Sequence, residues 1–200
     1  MVSEGINPRK IEILKTVEGQ RFQAALDVGV GEGRTLHGID AARKVGLDIW
    51  KRVKYDGIEY LNFDLETING GKRLPFRNDY FDVVVSEDVF EHLQGFVSGK
   101  LLKEIARVMK PGGVLIGTIP NHFYVEIRLK YLFGDVSSHH IFKNEDSHLS
   151  NAFLTAKGLK KKFSEFFEVE KCDYGVGHLK TLRPAWFAHS IVFKCRKNPL

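Results

Sequence analysis

The sequence predicts a doubly wound α/β sheet, on three observations. Short apolar runs of strand type alternate with stretches whose apolar residues recur at helical spacing. One run, Phe81-Asp82-Val83-Val84-Val85-Ser86, is almost continuously β-branched or aromatic, the pattern of a strand covered on both faces. A glycine-rich turn, Gly29-Val30-Gly31-Glu32-Gly33, stands directly after the first buried run. In open sheets of this kind ligands bind beyond the carboxyl ends of the strands, so functional residues are expected just after them.

The elements follow in order. Asn7 and Pro8 open a helix as N-cap and first helical residue, with Ile11, Leu14 and Val17 as its apolar stripe. Residues 24–28 form the first strand, and a short helix is expected over about 34–43. Val45, Leu47 and Ile49 alternate through a second strand at 44–50, and 58–63 forms a third. The link at 51–56 leaves room for one or two helical turns. After the fourth strand, Leu101, Leu102, Ile105, Val108 and Met109 make one helical stripe, stopped by Pro111-Gly112-Gly113. Residues 114–119 form a fifth strand, 156–166 a helix, and 167–174 and 186–196 two last strands that pair antiparallel.

The chain has 200 residues, 43% hydrophobic and 28% charged, a globular balance that excludes a disordered tail or a fibre. A single domain over 1–200 is expected. The net charge of +5 is too mild to require a polyanionic partner. Cys172 and Cys195 make no disulfide framework. The N-terminal residues lack the apolar core of a secretion signal, and no apolar run approaches the ~18 residues that span a bilayer. A cytoplasmic location without a membrane span is the expectation.

The glycine loop is Gly-x-Gly-x-Gly, with Arg34 where a dinucleotide fingerprint has its third glycine, which argues against a dinucleotide. Asp27, just before it, suits a ligand with a positive group such as an amino-acid ammonium. Asp48, about 20 residues beyond Gly29, places a carboxylate where it can accept both hydroxyl protons of a ribose. Asp40 is the rival, set aside because it leaves almost no room for a helix between the first two strands. Taken singly, the loop is also compatible with an ordinary turn, and Asp48 with a solvent-facing cap.

In combination these segments resemble the class I S-adenosylmethionine-dependent methyltransferases of the type 11 kind. The resemblance covers about residues 22–121. Leu26-Asp27-Val28-Gly29-Val30-Gly31-Glu32-Gly33 is similar to the first motif, and Asp48 to the acid closing the second strand. Asn62-Phe63-Asp64-Leu65, Leu74-Pro75-Phe76, Tyr80 to Ser86, Glu91-His92-Leu93 and residues 102–116 follow in the family's order. The resemblance implies a Rossmann-like sheet of seven strands in the order 3-2-1-4-5-7-6 with the last strand antiparallel. It implies S-adenosylmethionine as cofactor. Gly29, Gly31 and Gly33 would surround its methionine portion, with Asp27 orienting it. Asp48 would hold the ribose, Ile49 would pack on the adenine, and Asp64 and Leu65 would contact the adenine. Ser86 and Glu87 would lie beside the sulfonium. Trp50 reads as ordinary packing, with a wall for the adenine as the alternative.

Methyl transfer from a sulfonium needs alignment and exclusion of water, and a base only where the acceptor must lose a proton. Base candidates after strands four and five are His122, Glu87 and His92, with Asp88 and Tyr124 beside them. His139, His140, His148, Glu145 and Asp146 match no metal-ligand spacing, so no metal is expected. Residues 122–156 are expected to be a lid or insert over the acceptor, with Phe123, Tyr124, Tyr131, Phe133 and Phe142 as its apolar surface and His148 ahead of Phe153-Leu154-Thr155. The basic runs at 51–54 and 160–162 read as solvated faces. The expected acceptor is a small molecule, a metabolite or a lipid- or sugar-linked one. Nucleic acid is not the expected partner, and the chain is expected to be a monomer or weak homodimer. A protein or RNA methyltransferase and a non-catalytic binder of the cofactor are the alternatives.

Overall fold

The computed structural model describes residues 8–93, 95–121, 124, 125, 129, 132, 155–175 and 184–198. One seven-stranded sheet organises them, in the order β3-β2-β1-β4-β5-β7-β6. The strands are β1 (Phe22–Val28), β2 (Ala41–Asp48), β3 (Ile58–Asn62), β4 (Phe81–Glu87), β5 (Met109–Pro120), β6 (Phe167–Tyr174) and β7 (Ser190–Lys197). The helices are α1 (Pro8–Lys15), α2 (Arg34–His37), α3 (Gly95–Val108), α4 (Ala156–Phe163) and α5 (Pro184–Phe187). β1 pairs parallel with β2 and β4, β2 with β3, and β4 with β5. β7 runs antiparallel to both β5 and β6. The expected fold class and strand order are those observed.

The period-two alternation of buried strands divides the core between the two faces. Leu26, Val28, Val84 and Leu115 point to one face, where Val97, Leu101, Ile105 and Val108 of α3 and Leu159 and Phe163 of α4 cover them. Ala25, Val83, Val85, Val114 and Ile116 point to the other, under Ile13 of α1 and Leu36 of α2. β1 pairs with β4 only over Ala25 to Asp27, so the start of β1 lacks ladder partners on the β4 side. The Asp82 carboxylate takes their place: it accepts the Gln23 and Ala24 amides at 3.0 and 2.8 Å and binds Lys110 Nζ at 2.7 Å.

Several boundaries differ from expectation. The helix expected over 34–43 is the single turn of α2, and β2 starts at Ala41. Gly38 ends it, tucked so close to α1 that a Cβ there would lie 2.8 Å from Leu14 Cδ1. β2 ends at Asp48, and residues 49–57 form no helix. α3 begins at Gly95, and Pro111-Gly112-Gly113, expected to separate helix from strand, lies inside β5. The register explains it: Phe81 pairs with Met109 but Val83 with Val114, so extra residues loop out of the ladder, with Gly112 at φ +75°. α4 ends at Phe163, capped by Thr155, whose hydroxyl accepts the Gly158 amide at 3.0 Å. Trp186 lies in α5, and β7 starts at Ser190. Nearly all of the expected lid at 122–156 falls outside the described residues, as do His122 and the histidines at 139, 140 and 148.

Candidate functional site

The carboxyl ends of β1, β2 and β4 meet at one edge of the sheet. The β1 chain leaves Val28 into Gly29 at φ +83° and Gly31 at φ +50°. The turn is fixed by β2. The Leu47 carbonyl accepts both the Gly29 amide, at 2.8 Å, and the Val30 amide, at 2.9 Å. The Asp48 carboxylate accepts the Gly31 amide through Oδ2 at 2.9 Å and the Trp50 amide through Oδ1 at 3.0 Å. Each oxygen retains a lone pair for a hydroxyl. A Cβ on Gly31 would meet nothing within 4 Å, so the backbone is bare on that side.

A cleft of about 450 Å³ opens at this edge. Gly29 and Asp48 form its floor, Ile49, Phe63, Leu65, Val89 and Leu93 its apolar walls, and Trp50, Arg52, Asp64, Glu66, Asp88 and His92 its rim. Ile49 and Trp50 are 48% and 59% exposed. The packing expected of Trp50 is therefore not seen: its ring stands at the rim with the Arg52 guanidinium 6.0 Å from its centre. Asp64 caps the 3-10 turn Leu65–Ile68 by accepting the Glu66 amide at 3.0 Å. Of the residues singled out from the sequence as site candidates or alternatives, Gly29, Asp48, Ile49, Trp50, Asp64, Leu65, Asp88 and His92 line this cleft.

The others lie beside or beneath it. Gly33 is the residue before α2. Asp27 is 3% exposed, and its Oδ1 has no hydrogen-bond partner among the described residues. Burial pushes its carboxyl up to about 8, with the negative charges of Glu87 and Asp48 adding to the effect and Lys10 opposing it. Ser86 is fully buried in β4, opposite Gly117 of β5, and its hydroxyl does not reach the cleft wall. Glu87 is engaged underneath, accepting the Thr35 hydroxyl at 2.6 Å and facing Lys10 Nζ at 3.3 Å. Asp88, at φ +53°, is held by Arg9 at 2.7 Å and the Thr118 hydroxyl at 2.9 Å, while its amide donates to the Thr118 carbonyl at 2.9 Å. Sequence reasoning passed over Arg9, Lys10, Thr35 and Thr118, since pairs 30 to 79 residues apart leave no local signal. Val89 was within reach, lying between Asp88 and the Glu91-His92-Leu93 segment.

Among the described residues no group of three or more His, Cys, Asp or Glu is placed to hold a metal ion. Nor is any described helix long and apolar enough to cross a membrane.

The strand order, the glycine turn and the carboxylate closing β2 are those expected from the resemblance to the class I S-adenosylmethionine-dependent methyltransferases. Residues 26–117 match the family described as Methyltransferase domain. Over 157 residues the chain is 29% identical to an uncharacterized protein of Methanocaldococcus jannaschii; the match takes in 72% of this chain and spans 57% of that relative. A chain from the complex between the Haloferax volcanii Trm112 methyltransferase activator and a methyltransferase has a TM-score of 0.66 at 17% identity, over 95% of this chain and 89% of that one. The N-methyltransferase NodS of Bradyrhizobium japonicum, in complex with S-adenosyl-L-homocysteine, has a TM-score of 0.62 at 12% identity, over 94% of this chain and 85% of that one. At such identities the two structures speak for the fold. S-adenosylmethionine, the cofactor that the resemblance implies and whose product S-adenosyl-L-homocysteine the NodS structure holds, is the group against which the cleft is tested.

The residues present fit that cofactor. An acceptor-only carboxylate at the floor suits a vicinal diol, bare backbone at Gly31 admits a close ligand, and the apolar walls suit a flat purine.

Proposed function

We propose that this chain transfers a methyl group from S-adenosylmethionine to a small-molecule acceptor. The observation that carries the reading is Asp48, whose carboxylate ties the end of β2 to the glycine turn and still faces the cleft. What the cofactor supplies when bound is a methyl group already activated by its sulfonium, so the protein's task is placement and dryness. In this reading Asp48 receives the ribose hydroxyls. Ile49 and Leu65 flank the adenine, and Asp64 lies at its edge. Gly29 and Gly31 let the methionine portion approach the main chain, over Asp27. Gly33, Ser86 and Glu87 support the crest from beneath, and His92 and Asp88 face the cleft on the β4 side. The NodS neighbour, an N-methyltransferase, supports methyl transfer to nitrogen as one use of this fold.

Calorimetry with S-adenosylmethionine and S-adenosyl-L-homocysteine tests the cofactor half. Micromolar binding by the wild type and its loss in Asp48→Ala is expected; absence of wild-type binding removes the reading. A radiolabelled methyl-transfer screen over metabolite pools and cell extract tests the acceptor half. Label confined to protein or RNA overturns the small-molecule choice. The Haloferax neighbour is held in a complex with an activator, which favours a second reading in which turnover requires a partner chain. Binding of the cofactor with turnover only after addition of cell extract protein would select it.

A further inference from the structure

Glu91 has no part in the site as built so far. It is 6% exposed, and among the described residues no other residue gives either carboxylate oxygen a hydrogen bond. Proteins retain few such groups, because a buried unpaired polar atom is costly, and those that persist concentrate at functional sites. Glu91 sits in the 3-10 turn Phe90–His92 after β4. That turn is anchored. The Phe90 ring is fully buried, 5.8 Å from Phe163 and 6.4 Å from Phe193 centre to centre. The Ser98 hydroxyl donates to the Phe90 carbonyl at 3.2 Å, and the His92 amide to the Val89 carbonyl at 3.0 Å. The backbone that carries Glu91 is therefore fixed against the core. Its neighbour His92 stands on the cleft wall with Asp88 and Val89, and His92 Nε2 lies 3.8 Å from Glu91 Oε1. A shift of less than about 1 Å closes that gap to a hydrogen bond, and catalytic bonds are commonly long before substrate binds.

Resting on the methyltransferase reading above, we propose that Glu91 is the positioning residue for His92, and that His92 takes up the proton of an acceptor whose nucleophilic atom carries one. The acceptor class is then a hydroxyl or an ammonium, rather than a tertiary amine or a thioether. The balance closes without a further reactant. The acceptor lone pair forms the new bond to the methyl carbon, and the carbon–sulfur bond breaks with its electron pair left on sulfur. The acceptor proton passes to His92 Nδ1, before attack for an ammonium and during it for a hydroxyl. The positive charge then rests on an imidazole whose Nε2–H faces Glu91. The other charged groups facing Glu91 are Asp88 and Arg9, of opposite sign; burial first, then Asp88, raises the Glu91 carboxyl well above its ordinary range, and Arg9 opposes them.

The test is a pH titration of the full chain by NMR, following the His92 ring and Glu91 side-chain carboxyl signals, in the wild type and in Glu91→Gln. In the wild type the Glu91 carboxyl signal is expected to move through the His92 midpoint, the mark of a coupled pair. In Glu91→Gln the His92 midpoint is expected to fall, since the imidazolium loses a carboxyl that it would draw towards ionisation beside it. A Glu91 signal unmoved through that midpoint, or an unchanged midpoint in the variant, overturns the pairing. Should Glu91→Gln not fold, the wild-type titration decides alone. Calorimetry with S-adenosyl-L-homocysteine separates the two claims. Binding without coupling leaves the methyltransferase reading and removes the dyad; coupling without binding removes the reading on which the dyad's role rests.

Discussion

Gly29 and Val89 are in such close apposition that a Cβ added at Gly29 would lie 2.4 Å from Val89 Cγ2. The contact joins the turn after β1 to the segment after β4, and both residues line the cleft. Position 29 is also at φ +83°, where a side chain costs about 1–2 kcal/mol on backbone grounds alone. Gly29→Ala is therefore expected to lose about 2 kcal/mol or more in chemical denaturation and to weaken S-adenosyl-L-homocysteine at least tenfold. Adding Val89→Ala should recover part of the binding by removing the clash, while the backbone cost remains. Wild-type affinity in Gly29→Ala would show that this apposition does not shape the site.

Trp50 touches the cleft from outside the core, 59% exposed. Trp50→Ala should change stability by no more than about 0.5 kcal/mol, as for other surface positions. An aromatic ring stacked on a base contributes roughly 1 kcal/mol or more, so affinity for the adenosyl ligand should drop roughly five- to tenfold. Denaturation and calorimetry on the same preparation separate the two effects. An unchanged affinity would leave Trp50 as a bystander at the rim.

Asp27 makes stability depend on pH. Its carboxyl is raised from 3.8 to about 8, by burial above all, so the folded chain holds a proton that the unfolded chain has released between those values. Stability then declines as pH rises from about 4 to about 8. Asp27→Asn, which keeps the neutral shape, should flatten that decline and be more stable than the wild type at pH 8. Parallel melting curves across this range would reveal the opposite if the buried charge were compensated.

Glu104 has the reverse sign. Burial would raise its carboxyl, but the Arg107 guanidinium, bonded to it at 2.6 and 2.8 Å, and the Leu74 amide at 2.9 Å hold it below its ordinary 4.5. Arg107 in turn donates to the carbonyls of Leu74 and Phe76, at 3.0 and 2.8 Å, so the pair pins the segment before β4 to α3. A lowered folded value stabilises above about pH 4.5 and is lost as pH falls below it. Glu104→Gln should unfold more easily at pH 7 and lose less on acidification to pH 3. Identical acid limbs for the two proteins in a denaturation series would contradict this.

What the residues determined locally was considerable. The β-branched run at β4 and the buried run at β1 are strands because such residues pack on both faces of a sheet, and they placed the glycine turn and Asp48 at the carboxyl edge. Asp40, the rival acid, precedes β2, and its carbonyl bonds the Phe22 amide at the opposite end of the sheet. The reason for preferring Asp48 was nevertheless incomplete, since the helix thought to need room is one turn long. Tertiary structure alone decided the rest. Gly38 ends α2 because Leu14 of a distant helix presses on it, and β5 runs through Pro111-Gly112-Gly113 because β4 supplies a ladder that skips them. Arg9 and Lys10 reach Asp88 and Glu87 across 79 and 77 residues. Propensity and periodicity report the energy of a residue with its near neighbours. The charge state of Asp27, the isolation of Glu91 and the exposure of Trp50 depend instead on which remote atoms exclude water from them, and that is settled only when the sheet assembles.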